Sequence, residues 1–283
     1  MMKRLLLEGG GQRSVFTAGV LDFFMDKGIT FDEVYGVSAG AMTATSYLSN
    51  DRGRAIEQME RFTGDKRYIS LKNRVTKGSF FGWEYIFEEI PKKLLPMNFE
   101  AYRKNPATLY AGAYECETGK TVYFPLRDPE DKEDLKRLQA SASLPYYSPF
   151  VEIDGKHYAD GGIADPFALA AFKDDGAKTV IVLTQDRSYI KGKKRSSGMK
   201  YVYGKYPHLV HDSAMRSGRY NADRRIIFHL EEEGKIFLII PGKPLKVSIK
   251  ETDKNKLKEV YEEGYRAAEE RYEALKEYLE EGE

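Results

Sequence analysis

The chain has 283 residues, 41% of them hydrophobic and 13% aromatic, enough apolar material for one large α/β domain or for a domain with a modest appendage. Lys and Arg number 45 against 44 Asp and Glu, a net charge of +1 with no global field to attract nucleic acid. One cysteine, Cys116, excludes an internal disulfide framework or a cysteine-rich zinc site, and four histidines leave little room for a multi-histidine metal centre. No apolar run approaches the roughly 20 residues of a membrane span. Lys3 and Arg4 precede only Leu5-Leu6-Leu7, too short an apolar core for a signal peptide, so a soluble, cytoplasmic chain is expected.

In chain order, Leu5-Leu6-Leu7 reads as a short buried strand that runs into Gly9-Gly10-Gly11. Val15 to Lys27 has helical spacing, with Gly28 as its C-terminal cap. Glu33 to Val37 is a second strand, entering the turn Gly36-Val37-Ser38-Ala39-Gly40, and Ala41 to Leu48 is again helical. Strand, glycine loop, helix, strand, glycine turn, helix describes a parallel βαβ unit with both loops at the same strand ends. Arg54 to Phe62 reads as a helix. Residues 64–105 show no clean period, and the aromatic segment 80–97 suits ordinary core at least as well as an acyl-chain pocket or lid.

Thr108–Cys116 and Lys120–Pro125 read as a hairpin, and Asp131 to Ser143 as a helix stopped by Leu144-Pro145. Val151–Ile153 and His157–Ala159 form a second hairpin that ends in Asp160-Gly161-Gly162, and Thr179–Thr184 is a buried parallel strand. From Gln185 the composition changes. Residues 190–206 carry six basic side chains and no acid, a solvated loop by default, with contact to anionic lipid head groups as the alternative use of 191–205. Ile236–Ile240 is a further strand, and Asp253 to Leu279 a single long amphipathic helix. These readings divide the chain into a main domain at 3–186, a basic loop at 187–206 and an extension at 207–283 whose strand would complete the main sheet.

The turn at 36–40 has the form G-x-S-x-G. A serine on a sharp strand-to-helix turn has an exposed hydroxyl, sits where backbone N–H groups favour negative charge, and needs glycine neighbours for clearance. Taken alone, Ser38 is equally a helix N-cap. A Ser-Asp-His triad on an α/β-hydrolase fold fits poorly, because only two strands precede Ser38 and no late histidine stands in a loop. For the loop at 9–14 three uses compete. Ser14 stands where a dinucleotide fingerprint has its last glycine, and no Lys-Ser/Thr closes a phosphate loop. An oxyanion hole remains, and a neighbouring strand end that carries a serine makes it the favoured use.

Glu8-Gly9-Gly10-Gly11-Gln12-Arg13, GVSAG and Asp160-Gly161-Gly162 together resemble the patatin-like phospholipase family, whose pattern is a GGGxRG loop, a GxSxG elbow and a DG[GA] motif in this order. Ala140-Ser141-Ala142-Ser143-Leu144-Pro145 is similar to that family's approach to its aspartate. The resemblance covers roughly residues 3–186, with Ser14 a departure from the usual glycine. It implies a three-layer α/β/α sandwich around a mostly parallel sheet, with a helical C-terminal extension here. It also implies a Ser38–Asp160 dyad without histidine, oxyanion donors at Gly10 and Gly11 with Arg13 in support, and motif glycines at 9, 36, 40, 161 and 162. The implied activity is hydrolysis of lipid carboxylic esters through an acyl-enzyme, with no metal or organic cofactor. Lipid or a small acyl ester is then the expected partner, and nucleic acid is not. His157, which faces away from Asp160 on an alternating strand, is expected to pack or lie at the surface. Two other classes stay open: a catalytically weak lipid-binding or regulatory module on the same fold, and a Rossmann-type reductase.

Overall fold

The computed structural model describes residues 1–193, 198–248 and 250–281. Eight strands build one mixed sheet: β1 (Lys3–Leu7), β2 (Glu33–Val37), β3 (Thr108–Glu115), β4 (Thr121–Leu126), β5 (Val151–Ile153), β6 (Lys156–Asp160), β7 (Lys178–Val182) and β8 (Ile236–Ile239). Their order is β5-β6-β3-β2-β1-β7-β8, with β4 paired to β3. Strands β3, β2, β1, β7 and β8 run parallel, while β4, β5 and β6 join by antiparallel pairing.

The helices are α1 (Val15–Asp26), α2 (Ala39–Leu48), α3 (Arg54–Phe62), α4 (Leu71–Lys77), α5 (Phe99–Lys104), α6 (Lys132–Ser141), α7 (Met199–Tyr203), α8 (Pro207–Glu232), α9 (Lys254–Glu270) and α10 (Tyr272–Glu280). A π-helical segment, Tyr85–Leu94, lies between α4 and α5. Among the described residues no helix is long and apolar enough to cross a membrane.

Strand β1 is central, which explains its unbroken leucine run. Leu5 and Leu7 pack with α1, α2, α9 and α10 on one face, and Leu6 packs with Val37, Ile181, Phe167 and α8 on the other. The result is the three-layer arrangement. Helix α1 is buried on nearly every side because α9 crosses it from outside. That crossing is close: a Cβ on Gly264 would stand 2.0 Å from Phe16 O, and one on Gly19 would stand 2.0 Å from Tyr261 O.

Three elements depart from the sequence reading. The C-terminal helix breaks at Arg271 into α9 and α10, and the Arg271 guanidinium bonds the Leu238 carbonyl at 2.8 Å. Residues 199–203 of the basic segment form α7, while 194–197, which carry Lys194 and Arg195, lie outside the described residues. The 26-residue helix α8 was not legible as an element, because much of its buried stripe is polar. Asp212 accepts from Tyr114 and Arg219, Tyr220 donates to Glu8, and Arg224 donates to the carbonyls of Gln185 and Asp186. Burial of such groups is tolerated because each is hydrogen-bonded. Strand β8 pairs with β7 at the sheet edge, so the last part of the chain contributes to the same sheet.

Candidate active site

Sheet register brings two distant turns together. Strand β2 ends opposite Gly112, which pairs with Val37. One residue further along β3, Ala113 pairs with Asp160 at the end of β6. Strand β4 occupies the other edge of β3, so β2 and β6 share one edge and meet end to end, each delivering its last residues to the same place. Gly161 follows in that tight junction: a Cβ there would stand 2.3 Å from Gly112 O.

Ser38 has φ 53 and ψ −123, a strained combination for a residue with a side chain, costing on the order of 1–3 kcal/mol. Its amide donates to Ser141 Oγ at 2.9 Å, and that hydroxyl donates to Gly112 O at 2.7 Å. The end of α6 therefore pins the turn. Gly40 lies against β1, where a Cβ would stand 2.7 Å from Glu8 O. Two residues beyond Ser141, the Ser143 carbonyl accepts the Asp160 amide at 2.9 Å. The small-residue run 140–143 thus holds both turns at once.

Asp160 is buried. Its Oδ1 accepts the Gly162 amide at 2.8 Å, while Oδ2 is buried without a hydrogen-bond partner among the described residues. Burial raises its pKa above the ordinary carboxylate value. The charge of Arg216, the hydroxyl of Ser38, the Gly162 amide and the charge of Lys191 pull it back. The Ser38 hydroxyl is therefore near enough to favour the ionised carboxylate, although no hydrogen bond of standard geometry reaches Oδ2.

Gly9, Gly10, Gly11, Arg13, Ser38, Asp160 and Gly162 line one cavity of about 230 Å³. The Gly9 amide donates to Pro166 O at 2.9 Å, whereas no backbone acceptor takes the amides of Gly10 or Gly11 among the described residues. Gly11 has φ 58, which glycine adopts freely. Arg13 Nε donates to Gly10 O at 3.4 Å. Ser14, the departure in this loop, donates to Gly11 O at 2.8 Å and so closes the turn with its own side chain. Under the loop, buried Glu8 accepts from the Thr184 amide at 2.5 Å, from Thr184 Oγ1 at 3.0 Å and from Tyr220 OH at 2.7 Å. The ends of β1, β7 and the middle of α8 are braced through one carboxylate.

His157 lies away from this cavity and pairs with Glu117 at 2.8 Å. Among the described residues no group of three His, Cys, Asp or Glu side chains is placed to hold a metal ion. The sequence reading missed Arg216 of α8, whose Nε donates to Gly162 O at 2.7 Å, and it gave Ser141 no role. Arg216 carried no local signal, since only the fold brings α8 to the site. Ser141 lay within a quoted motif, so the signal existed without its geometry.

The site is thus a serine on a strained strand-to-helix turn of a layered α/β sandwich, with a buried carboxylate lining the same cavity. A sequence profile for the family described as Patatin-like phospholipase matches residues 5–173, and the chain belongs to that family. A second profile, a domain of unknown function (DUF6363), matches residues 206–280. The uncharacterized protein YjjU of Escherichia coli is 31% identical over 183 residues, 63% of this chain and 50% of that protein. The probable lipid hydrolase 463L of Invertebrate iridescent virus 6 is 23% identical over 187 residues, 59% of this chain and 62% of that protein. The chain thus spans about half the length of the bacterial relative. Among solved structures, VipD from Legionella pneumophila aligns over 96% of this chain and 67% of its own, with a TM-score of 0.49 and 13% identity.

Proposed function

We propose that this protein is a serine hydrolase of lipid carboxylic esters that works through a Ser38–Asp160 dyad and an acyl-enzyme. The observation that carries the reading is the buried, unpartnered Oδ2 of Asp160 in the cavity that holds Ser38. A free aspartate, with a pKa of about 3.9, is far too weak to deprotonate a serine in the ground state. Proton transfer must accompany attack, and the raised pKa of the buried carboxyl makes Asp160 a stronger acceptor at that moment.

Ser38 Oγ attacks the ester carbonyl while its proton passes to Asp160 Oδ2. The amides of Gly10 and Gly11, with Arg13 nearby, receive the developing oxyanion, and one such donor is worth about 3 kcal/mol of barrier. Collapse of the tetrahedral intermediate returns the proton from Asp160 to the leaving alcohol. Water, deprotonated by Asp160 as it attacks, then frees the acyl group and regenerates the serine. Met42, Met59, Ile69, Phe81, Trp83 and Ile86 line the same cavity, an apolar surface suited to an acyl chain.

A fluorophosphonate probe should label the native protein at Ser38 and leave Ser38→Ala unlabelled. Asp160→Asn, with a native circular dichroism spectrum, should lose turnover of a short nitrophenyl ester by about 10²–10⁴-fold. Equal labelling of Ser38→Ala, or turnover retained by Asp160→Asn, would refute the dyad, whereas a native protein that neither labels nor turns over the ester would leave the binding-module reading in its place.

A further inference from the structure

Helices α4 and α7 lie on either side of the Tyr146-Tyr147 turn that forms part of the cavity wall. On one side the Tyr146 amide donates to Tyr203 OH at 2.7 Å, and the two rings meet edge to face at 5.2 Å. On the other side Phe80, just past α4, donates its amide to Tyr147 O at 2.7 Å. The glycines that cap the two helices border the same turn: a Cβ on Gly198, at the start of α7, would stand 3.8 Å from the Tyr146 hydroxyl, and one on Gly78, at the end of α4, 4.0 Å from Pro149. Leu144 and Tyr147 of the intervening turn line the cavity together with Ser38.

Both helices expose apolar side chains that no other described residue covers. Leu71 is 68% and Val75 79% exposed, one turn apart on α4. Tyr201 is 92% and Val202 58% exposed on α7, and Ile190, nine residues before that helix in the chain, is 77% exposed. Singly exposed apolar residues need no explanation, but a group of them on neighbouring elements beside a cavity does. Along the two stretches of sequence that carry them, the charged residues have one sign. No acid occurs from Lys66 to Trp83 or from Arg187 to His211, although the chain as a whole is balanced. Lys72 and Lys200 are exposed and form no ion pair among the described residues, whereas Lys77 pairs with Glu84 at 3.2 Å.

We propose that α4 and α7 together form a docking surface for an anionic lipid bilayer, which brings the cavity to the membrane face. Apolar tips amid cations match an interface whose outer layer is negative and whose interior is hydrocarbon. Nucleic acid would gain nothing from Leu71 and Val75. The surface does not depend on the chemistry at Ser38, so the two readings fail separately.

Vesicle sedimentation with the full chain tests this. The protein should sediment with phosphatidylcholine vesicles that contain phosphatidylglycerol and not with phosphatidylcholine alone, and added salt should release it. Lys72→Gln and Lys200→Gln should each weaken binding about fivefold. The pair Val75→Ser with Tyr201→Ser should also reduce the bound fraction. All of these variants should keep wild-type turnover of a water-soluble short ester, and Ser38→Ala should bind as the native protein does. Failure to sediment with the anionic vesicles overturns the proposal. So does equal binding to both vesicle types, or binding that falls with the lysine changes but ignores Val75 and Tyr201, the mark of a general polyanion site.

Discussion

Arg216 and Asp160 hold the same residue from opposite ends: the Gly162 carbonyl accepts from Arg216 Nε at 2.7 Å, and the Gly162 amide donates to Asp160 Oδ1 at 2.8 Å. The arginine comes from α8, far outside the motifs that mark the site. Its charge also lowers the pKa that burial raises at Asp160.

Loss of that charge should therefore move the ionisation of Asp160 to higher pH. In Arg216→Ala the acid limb of the kcat/KM profile for a soluble ester should shift upward, since the base is active only when ionised. Arg216→Lys restores the positive charge without the guanidinium geometry, and should bring the limb back toward the native position. A fall in kcat with an unmoved limb in Arg216→Ala would assign the arginine to scaffolding alone.

Ser141 offers a cleaner test of how the elbow is held. Ser141→Ala leaves the Ser38 amide and the Gly112 carbonyl without their shared hydroxyl. Unsatisfied buried groups should cost about 1–3 kcal/mol of stability, read from the urea midpoint. With the nucleophile less firmly placed, kcat should fall about tenfold or more while KM stays near its native value. Native kcat in this variant would show that the strained turn holds itself.

A separate pH effect should come from α8. Burial and the neighbouring Asp165 raise the Asp223 pKa to about 6, against a partial lowering by Arg219. The folded protein then holds this proton more tightly than the unfolded chain, where the pKa is about 3.9. The carboxyl favours folding below the unfolded value, and that contribution is lost as pH rises through about 6. Asp223→Asn should accordingly be more stable than native protein above pH 6, with the difference closing toward pH 4. Parallel urea midpoints across that range at both ends would expose the idea if the gap stayed constant.

The parts legible in the sequence were those where backbone demands choose the residue. The leucine run of β1 announces a strand covered on both faces, and the serine of β2's turn stands between glycines because Gly40 approaches β1 too closely for a side chain. Helix α8 stayed hidden because Asp212, Tyr220 and Arg224 are buried through hydrogen bonds, and periodicity counts only apolar positions. The segment after α3 was equally opaque. There Phe81, Trp83 and Ile86 line an open cavity, and the helical turn that follows carries Pro91 in π geometry, so neither the 3.6-residue nor the 2-residue rule applies. Arg216 could be recognised only once α8 was folded against the sheet.

The end-to-end meeting of β2 and β6 along β3 makes that strand a ruler. Neighbouring positions Gly112 and Ala113 set where the two chain ends stop, one strand step of about 3.3 Å apart. The hairpin tip at 117–119 and the connection at 127–131 can then lengthen or shrink over evolutionary time without altering the spacing between hydroxyl and carboxylate. A single residue inserted between Gly112 and Ala113 would do the reverse, turning the distal half of β3 over and carrying Asp160 out of reach while every motif in the chain remained intact.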